Sequence, residues 1–191
     1  RTATETYQAA SLRIHRMVDK LFRCWREELQ PQLHEKGFRF HEMDHLTDDN
    51  RIWVEKFFNE KVRPVLTPLA VDPSKAFPLI LNKSLNVIAR VERKSKRGIE
   101  QRLCIVQVPR VIPRLVQLPE GESAHEYVFL ADIISYFIES LFPGNKVMGT
   151  WRFRVTRNSE LYVGEEDADN MLKAVENELR NRRKGHAVRI E

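Results

Sequence analysis

The chain has 191 residues, of which 42% are hydrophobic and 31% are charged. This is enough apolar material for one ordinary domain, or for one domain and part of another, and it excludes an intrinsically disordered chain. The 32 Lys and Arg residues outnumber the 27 Asp and Glu residues. The resulting net charge of +5 permits anionic partners such as nucleic acid, phosphate polymers or acidic proteins, but it does not choose among them.

The sequence indicates a soluble protein from a reducing compartment. No stretch approaches the roughly 20 uninterrupted apolar residues of a membrane span, and residues 1–30 carry charges throughout instead of an apolar signal core. Cys24 and Cys104 are too few for a disulfide scaffold or a four-cysteine zinc site, so we expect free thiols and a cytoplasmic location. Because the chain starts with Arg1 inside a predicted helix, we expect it to be a piece of a longer polypeptide.

A long amphipathic helix is predicted over residues 4–36. Gly37 ends it, and Pro31 predicts either a kink or a stop and restart with Pro31 in the first turn of a short second helix. We expect the apolar face to need a partner, most simply the rest of a helical domain. The apolar side chains recur at steps of three and four residues: Leu12, Val18, Leu21, Phe22, Trp25, Leu29 and Leu33.

The middle of the chain changes from a helix to strands. Thr47 is predicted to cap a helix that ends at Arg63 and Pro64. Short apolar or alternating segments then predict strands over residues 65–71, 85–91 and 103–108, with an exposed basic hairpin loop at residues 94–98.

The last part of the chain mixes both element types. Residues 114–118 predict a short or edge strand, residues 130–141 a strongly apolar helix, and residues 151–157 a strand that turns and returns over 161–163. A helix over 165–184 and a terminal strand at 188–190 follow. The whole predicts an α+β fold: a mixed or mainly antiparallel sheet with two or three packed helices, preceded by a long N-terminal helix.

One short motif is typical of zinc hydrolases. His41, Glu42 and His45 match H-E-x-x-H, in which two histidines one helical turn apart bind zinc and the glutamate activates water. The motif needs a helix, and here it lies between the stop at Gly37 and the cap at Thr47. We therefore expect an accidental match in a polar loop.

A row of arginines on the predicted strand 151–157 is the other candidate site. Arg152, Arg154 and Arg157 could line an anion site, because guanidinium groups offer donors of fixed geometry to phosphate. A solvated face of a half-exposed strand explains the same spacing, and we favour that interpretation. The sequence contains no glycine-rich phosphate loop and no G-x-S-x-G motif.

Several short blocks, none specific alone, form an ordered set that resembles a known family. They are RPVLTPLAVDP at 63–73, FP at 77–78, N at 82, SLN at 84–86, VP at 108–109, IPR at 112–114, LFPG at 141–144, FRVTRN at 153–158 and VRIE at 188–191. Together they resemble the middle region of bacterial polyphosphate kinases of the histidine-phosphorylating type. The helix end at 29–37 with its Pro31 fits as well.

The resemblance implies a supporting part of such an enzyme. These kinases reversibly move the terminal phosphate of ATP onto polyphosphate through a phosphohistidine, and their reactive histidine and magnesium ligands belong to C-terminal domains. Residues 1–38 would be the last helix of an N-terminal helical domain, and residues 39–191 the head, or middle, domain. No catalytic residue, metal site or cofactor is expected in this chain, while ATP and magnesium are expected in the parent.

The resemblance also implies partners and site residues. The head domain of the family is associated with homodimer contacts and with the tunnel that holds nucleotide and polymer, and no nucleic acid is expected. Arg157, Asn158 and Arg154 are the matching positions that we expect to contact an anion or another domain, and residues 68–73 are expected to form a shaped turn. The alternative is a stand-alone basic nucleic-acid-binding module, which the absence of a helix-turn-helix, RNP or zinc-finger pattern disfavours.

Overall fold

A computed structural model describes residues 2–72, 74, 77–95, 98–119, 125–158 and 186–191. Its helices are α1 (Ala3–Arg23), α2 (Gln30–Glu35), α3 (Asp48–Phe57) and α4 (Leu130–Phe137). Its strands are β1 (Phe38–His41), β2 (Pro68–Val71), β3 (Leu85–Ser95), β4 (Gly98–Gln107), β5 (Leu115–Gln117), β6 (His125–Phe129), β7 (Lys146–Arg157) and β8 (Ala187–Ile190).

The chain divides into two compact units. One comprises Arg1–His41 with Gln117–Tyr127, and the other comprises Glu42–Val116 with Val128–Glu191. The domain boundary at residue 38 that the sequence suggests stays a prediction. The α+β fold class is confirmed, with the long helix at the N-terminus and helices packed on antiparallel strands.

The first unit begins with an interrupted helix. Thr2 caps α1, a π-helical segment (Cys24–Leu29) follows, and α2 then carries Pro31 in its first turn. Pro31 thus lies in the first turn of a short second helix as expected, but the chain stays helical through the π-helical segment and does not stop before it. The helix ends before Gly37, which has φ 82°. No residue of these three segments is buried, so their apolar side chains lie open within the described part of the chain.

A three-stranded sheet with the order β1-β6-β5 follows the helix. The predicted edge strand at 114–118 is confirmed as β5, whereas β1 and β6 were not predicted as strands. Aromatic rings join them, because Phe38 stacks on His125 with ring centroids 4.5 Å apart and Phe40 lies 6.2 Å from Tyr127. Beside these rings Glu126 is buried and accepts a hydrogen bond from His41 at 3.1 Å.

The second unit is built on a five-stranded sheet with the order β2-β4-β3-β7-β8, in which all neighbours are antiparallel. Along β3 the side chains of Val87, Ala89 and Val91 are buried on one face. This is the face that α4 covers, because α4 packs against β3 and β7. The apolar face of α4 is itself buried, with Ile133 and Ile134 fully enclosed.

A smaller apolar cluster lies on the opposite face of the sheet. Ile80, from the segment before β3, covers Ile105 and Val155 there, and the partly buried Val71 and Phe153 pack against them. The cluster covers only part of this face. Trp151 on β7 remains 52% exposed.

Most predicted elements of this unit are confirmed, with shifted ends. Thr47 accepts a hydrogen bond from the Asn50 amide at 3.3 Å and caps α3 as expected. Beyond Phe57 a π-helical segment (Phe58–Val62) and a 3-10 turn (Arg63–Val65) follow, so β2 starts only at Pro68 and not at residue 65. The predicted return strand at 161–163, the helix at 165–184 and the tip of the basic loop at 96–97 lie outside the described residues.

Candidate functional site

The candidate site is the row of arginines on β7. Arg152 and Arg154 lie opposite Val87 and Leu85 of β3, and Arg157 follows a register shift between β7 and β8. The structure gives each of the three a partner within this chain. Their surroundings differ from one another.

Arg154 is held by the C-terminal residue. Its Nε and Nη2 both lie 2.6 Å from Oε1 of Glu191, and Nη2 of Arg189 lies 2.8 Å from the other oxygen of the same carboxylate. Two backbone hydrogen bonds between Arg154 and Glu191 complete the contact. The Glu191 carboxylate therefore accepts hydrogen bonds from Arg154 donors that could otherwise bind a phosphate.

Arg157 anchors a backbone segment of the same chain. Its Nε donates to the Ile80 carbonyl at 2.8 Å, and its amide donates to Oδ1 of Asn82 at 2.9 Å. Nearby, the amide of Lys83, at φ 58°, donates to the Val155 carbonyl at 2.8 Å. These bonds fasten the segment that covers the smaller apolar cluster to the end of β7.

Asn158 lies where β7 ends and β8 approaches. Its amide donates to the His186 carbonyl at 2.8 Å. Like Arg157, Asn158 is partly exposed, so both side chains are accessible to another domain. The anion or interdomain contact expected for Arg154, Arg157 and Asn158 stays a prediction.

Arg152 belongs to a polar cavity of about 410 Å³. It pairs with Asp132 of α4. Burial raises the pKa of Asp132; the Arg152 guanidinium partly opposes this effect, and the Glu42 carboxylate adds to it. The cavity is lined by Glu42, Met43, Asp132, Ser135, Tyr136, Thr150 and Arg152.

Sequence reasoning missed Asp132. The signal was present, because Asp132 is the one charged residue of the strongly apolar α4 and lies in its first turn. The α-helical period alone does not reveal that this face of α4 meets the arginine of a distant strand.

The H-E-x-x-H motif does not form a helix. His41 ends β1, and Met43–His45 form a 3-10 turn after the extended Glu42. Among the described residues, no group of three His, Cys, Asp or Glu side chains could hold a metal ion. The zinc hydrolase hypothesis therefore finds no support in the geometry.

Among the residues that the structure describes, no helix combines the length and apolar character that crossing a bilayer requires.

Fold and site together define an α+β domain with helices packed on one face of an antiparallel sheet and a basic strand fastened by contacts within the chain. Residues 49–191 match the family described as the polyphosphate kinase middle domain. The chain therefore belongs to the polyphosphate kinase family, and its residues 49–191 correspond to the middle domain of that family.

Individual relatives agree with this assignment. A polyphosphate kinase of Pseudomonas aeruginosa is 40% identical over 180 residues, which are 93% of this chain and 26% of that protein. One of Halalkalibacterium halodurans is 40% identical over 190 residues, which are 100% of this chain and 27% of that protein. The chain thus spans about a quarter of the length of these relatives.

A solved structure shows the same fold. The crystal structure of polyphosphate kinase from Porphyromonas gingivalis superimposes with a TM-score of 0.69 at 24% identity, and the match covers 92% of this chain and 30% of that one. None of these relatives supports the alternative of a stand-alone nucleic-acid-binding module.

The anchoring role of Arg157 predicts a loss of stability on substitution. Arg157→Gln should lower the free energy of unfolding by on the order of 1–2 kcal/mol, because a hydrogen bond from a charged donor is lost at a partly buried carbonyl. Urea unfolding followed by circular dichroism measures it. The control is Arg110→Gln, an exposed arginine, which should stay within about 0.5 kcal/mol. Equal effects of the two variants would refute the anchoring role.

The raised pKa of Asp132 predicts a pH-dependent effect of Asp132→Asn. An acid with a raised pKa in the folded state binds its proton more tightly there, so its stabilising contribution is complete below the ordinary Asp pKa and is lost as the pH rises through the raised value. The stability of the Asn variant relative to the natural chain should therefore increase from about pH 3 to about pH 7.

Thermal unfolding across this pH range measures the difference. Ser135→Ala serves as the control, because it removes a polar group from the same cavity without adding or removing a titration; its difference from the natural chain should not vary with pH. A decrease of the Asn variant's relative stability with rising pH would contradict the assignment.

Proposed function

We propose that this chain is the non-catalytic middle domain of a polyphosphate kinase, which supports homodimer assembly and shapes the tunnel for ATP and polyphosphate. The observation that carries the proposal is the match of residues 49–191 to the middle-domain family. The parent enzyme would reversibly transfer the terminal phosphate of ATP to inorganic polyphosphate in the cytoplasm. Its magnesium ions and its phosphorylated histidine would be held by other domains.

The histidines of this chain support a non-catalytic role. None of the six lies in a block that resembles the phosphohistidine region of the family. His41 is engaged with the buried carboxylate of Glu126, and the ring of His125 is stacked on Phe38. These two side chains thus stabilise the packing within the first unit.

The contacts of β7 support a positioning role for the predicted site residues. Arg154 and Arg157 are bonded to groups of the chain itself, which makes them poor receptors for a migrating polymer. They fix the end of β7 and the segment before β3 as one rigid surface. We propose that this surface, with the partly exposed Asn158, contacts another domain of the parent.

We propose that the N-terminal helix packs against the rest of a helical domain of the parent. Its apolar side chains are exposed, and such a stripe is stable in water only when another protein surface covers it. The side chains are Tyr7 at 72%, Leu12 at 54%, Met17 at 60%, Leu21 at 64% and Phe22 at 48% exposure.

The purified chain should not turn over phosphate by itself. Incubated with ATP and magnesium, it should form no polyphosphate, and with polyphosphate and ADP it should form no ATP. The full-length Pseudomonas aeruginosa relative, assayed in parallel, supplies the positive control. Turnover by the chain that follows the protein through size-exclusion chromatography would refute the non-catalytic role.

The assembly role predicts a mass of two chains in solution. Light scattering of the natural chain and of a variant without residues 1–36 should both give a dimer, because the proposed dimer contact belongs to the middle domain. If the shortened variant is a monomer, the contact comes from the exposed helix. If both are monomers, the dimer proposal for this domain is wrong.

A further inference from the structure

The polar cavity beside Arg152 lies on the face of the sheet that α4 covers. Thr150 and Arg152 are two residues apart on β7 and lie opposite Ala89 and Val87 of β3. Because alternate residues of a strand point to the same face, both side chains lie on the face that packs against α4. Strand β7 is thus one wall of the cavity, and all lining residues belong to the second unit.

One side of α4 forms the second wall. Asp132, Ser135 and Tyr136 line the cavity, and their spacing of three and four residues places them on the same side of the helix. The turn after β1 forms the third wall with Glu42 and with the buried side chain of Met43. The cavity therefore combines an apolar wall with polar groups from three elements.

The charges in this cavity do not cancel. Asp132 is 22% exposed and pairs with Arg152. Burial raises the pKa of Asp132, the Arg152 guanidinium opposes the rise, and the nearby Glu42 carboxylate adds to it. The imidazole of His45 lies 3.8 Å from Glu42, but both side chains are largely exposed, so this contact contributes little. With both acids ionised, two carboxylates face one guanidinium, which leaves one negative charge uncompensated.

The cavity also contains hydrogen-bond acceptors that the chain does not use. Arg152 contacts Oδ1 of Asp132, and Oδ2 of the same carboxylate can accept further hydrogen bonds. Ser135 donates its proton to a backbone carbonyl of α4 at 2.8 Å and keeps its lone pairs. The hydroxyl groups of Thr150 and Tyr136 have no hydrogen-bond partner among the residues that the structure describes.

These groups favour an ammonium ion over other ligands. The two carboxylates repel phosphate, and among the described residues no group of three His, Cys, Asp or Glu side chains could hold a metal ion. A guanidinium needs acceptors in one plane, whereas an ammonium donates three hydrogen bonds that diverge from one nitrogen. Separate acceptors on Asp132, Glu42 and Thr150 suit the ammonium.

The remaining walls suit an alkyl chain attached to that ammonium. Tyr136 is 44% exposed, and its ring packs edge-on against Phe137 with the ring centroids 5.0 Å apart. The face of a tyrosine ring attracts a cation, and the methylene groups of a lysine side chain pack on apolar surface such as Met43. The cavity volume of about 410 Å³ leaves room for such a chain.

We propose that this cavity binds the primary ammonium group of an alkylamine, as carried by a lysine side chain of a partner segment. The ammonium donates hydrogen bonds to Asp132, Glu42 and Thr150, and the alkyl chain contacts Met43 and the ring of Tyr136. The inference goes beyond the proposed function, because it concerns a cation and requires neither ATP nor polyphosphate.

The test uses the whole chain and the peptide acetyl-Gly-Lys-Gly-amide at pH 7.5, where lysine is protonated. In two-dimensional NMR, this Lys peptide should shift the backbone amide signals of Tyr136 and Thr150. The same peptide with norleucine, which keeps the alkyl chain but lacks the ammonium, should bind roughly tenfold more weakly or less.

A third probe, n-butylammonium, distinguishes the two sources of the ammonium. Binding as tight as that of the Lys peptide would assign the cavity to free alkylamines. Binding several-fold weaker would assign it to a lysine within a protein segment. Both results support recognition of the ammonium group.

Three variants identify the groups that bind it. Glu42→Gln should weaken the Lys peptide and leave the norleucine peptide unchanged; the Glu42 side chain is 81% exposed, so the fold should tolerate the change. Glu55→Gln is the matched control, because it makes the same charge change at an exposed position of α3 outside the cavity, and it should weaken neither peptide. Arg152→Gln should strengthen the Lys peptide several-fold, because it removes the competing cation.

Four results would overturn the proposal. Weaker binding of the Lys peptide to Arg152→Gln, or shifts by inorganic phosphate at lower concentration than by the Lys peptide, would make the cavity an anion site. Equal affinities of the Lys and norleucine peptides would rule out recognition of the ammonium. Equal weakening by Glu55→Gln and Glu42→Gln would attribute the attraction to the net charge of the chain.

Discussion

The alternation of side chains along β3 is the constraint on which the second unit depends. Val87, Ala89 and Val91 are buried under α4, so a shift by one residue would move this apolar set to the opposite face. Because β3 is the central strand, its register also places its neighbours. It sets Arg152 of β7 opposite Val87, on the face where α4 brings Asp132, and it sets Gly149 opposite Arg90 on the other face.

The group that each arginine contacts is determined by this geometry and not by the net charge. Arg154 and Arg157 lie beside acceptors of their own chain and serve to hold it together. Arg152 faces a partly buried carboxylate whose pKa burial raises. Arg90 lies over the Trp151 ring, with its Cζ 5.9 Å from the ring centre.

Membership in the polyphosphate kinase family and the physical description of this chain point in the same direction. The relatives are about four times longer than the matched segment, and the contacts seen here fasten, cover and position parts of the chain. The exposed helix and the end of β7 are the two surfaces through which we propose that this chain contacts other parts of its parent.

Much of the fold could be predicted from the sequence, because local rules decide it. The cap at Thr47, the restart of the helix at Pro31 and the alternation along β3 depend only on side chains near in sequence. The strands β1 and β6 escaped prediction because they are short, carry polar residues and are stabilised by pairing across some 85 residues. The partners of the arginines escaped it for the same reason. The sequence by itself determined most of the helices and strands, and that a row of arginines lies on one of the strands. Tertiary structure alone decided β1 and β6 and which acceptor each guanidinium meets, because these depend on strand order and register, which bring distant residues within hydrogen-bond distance.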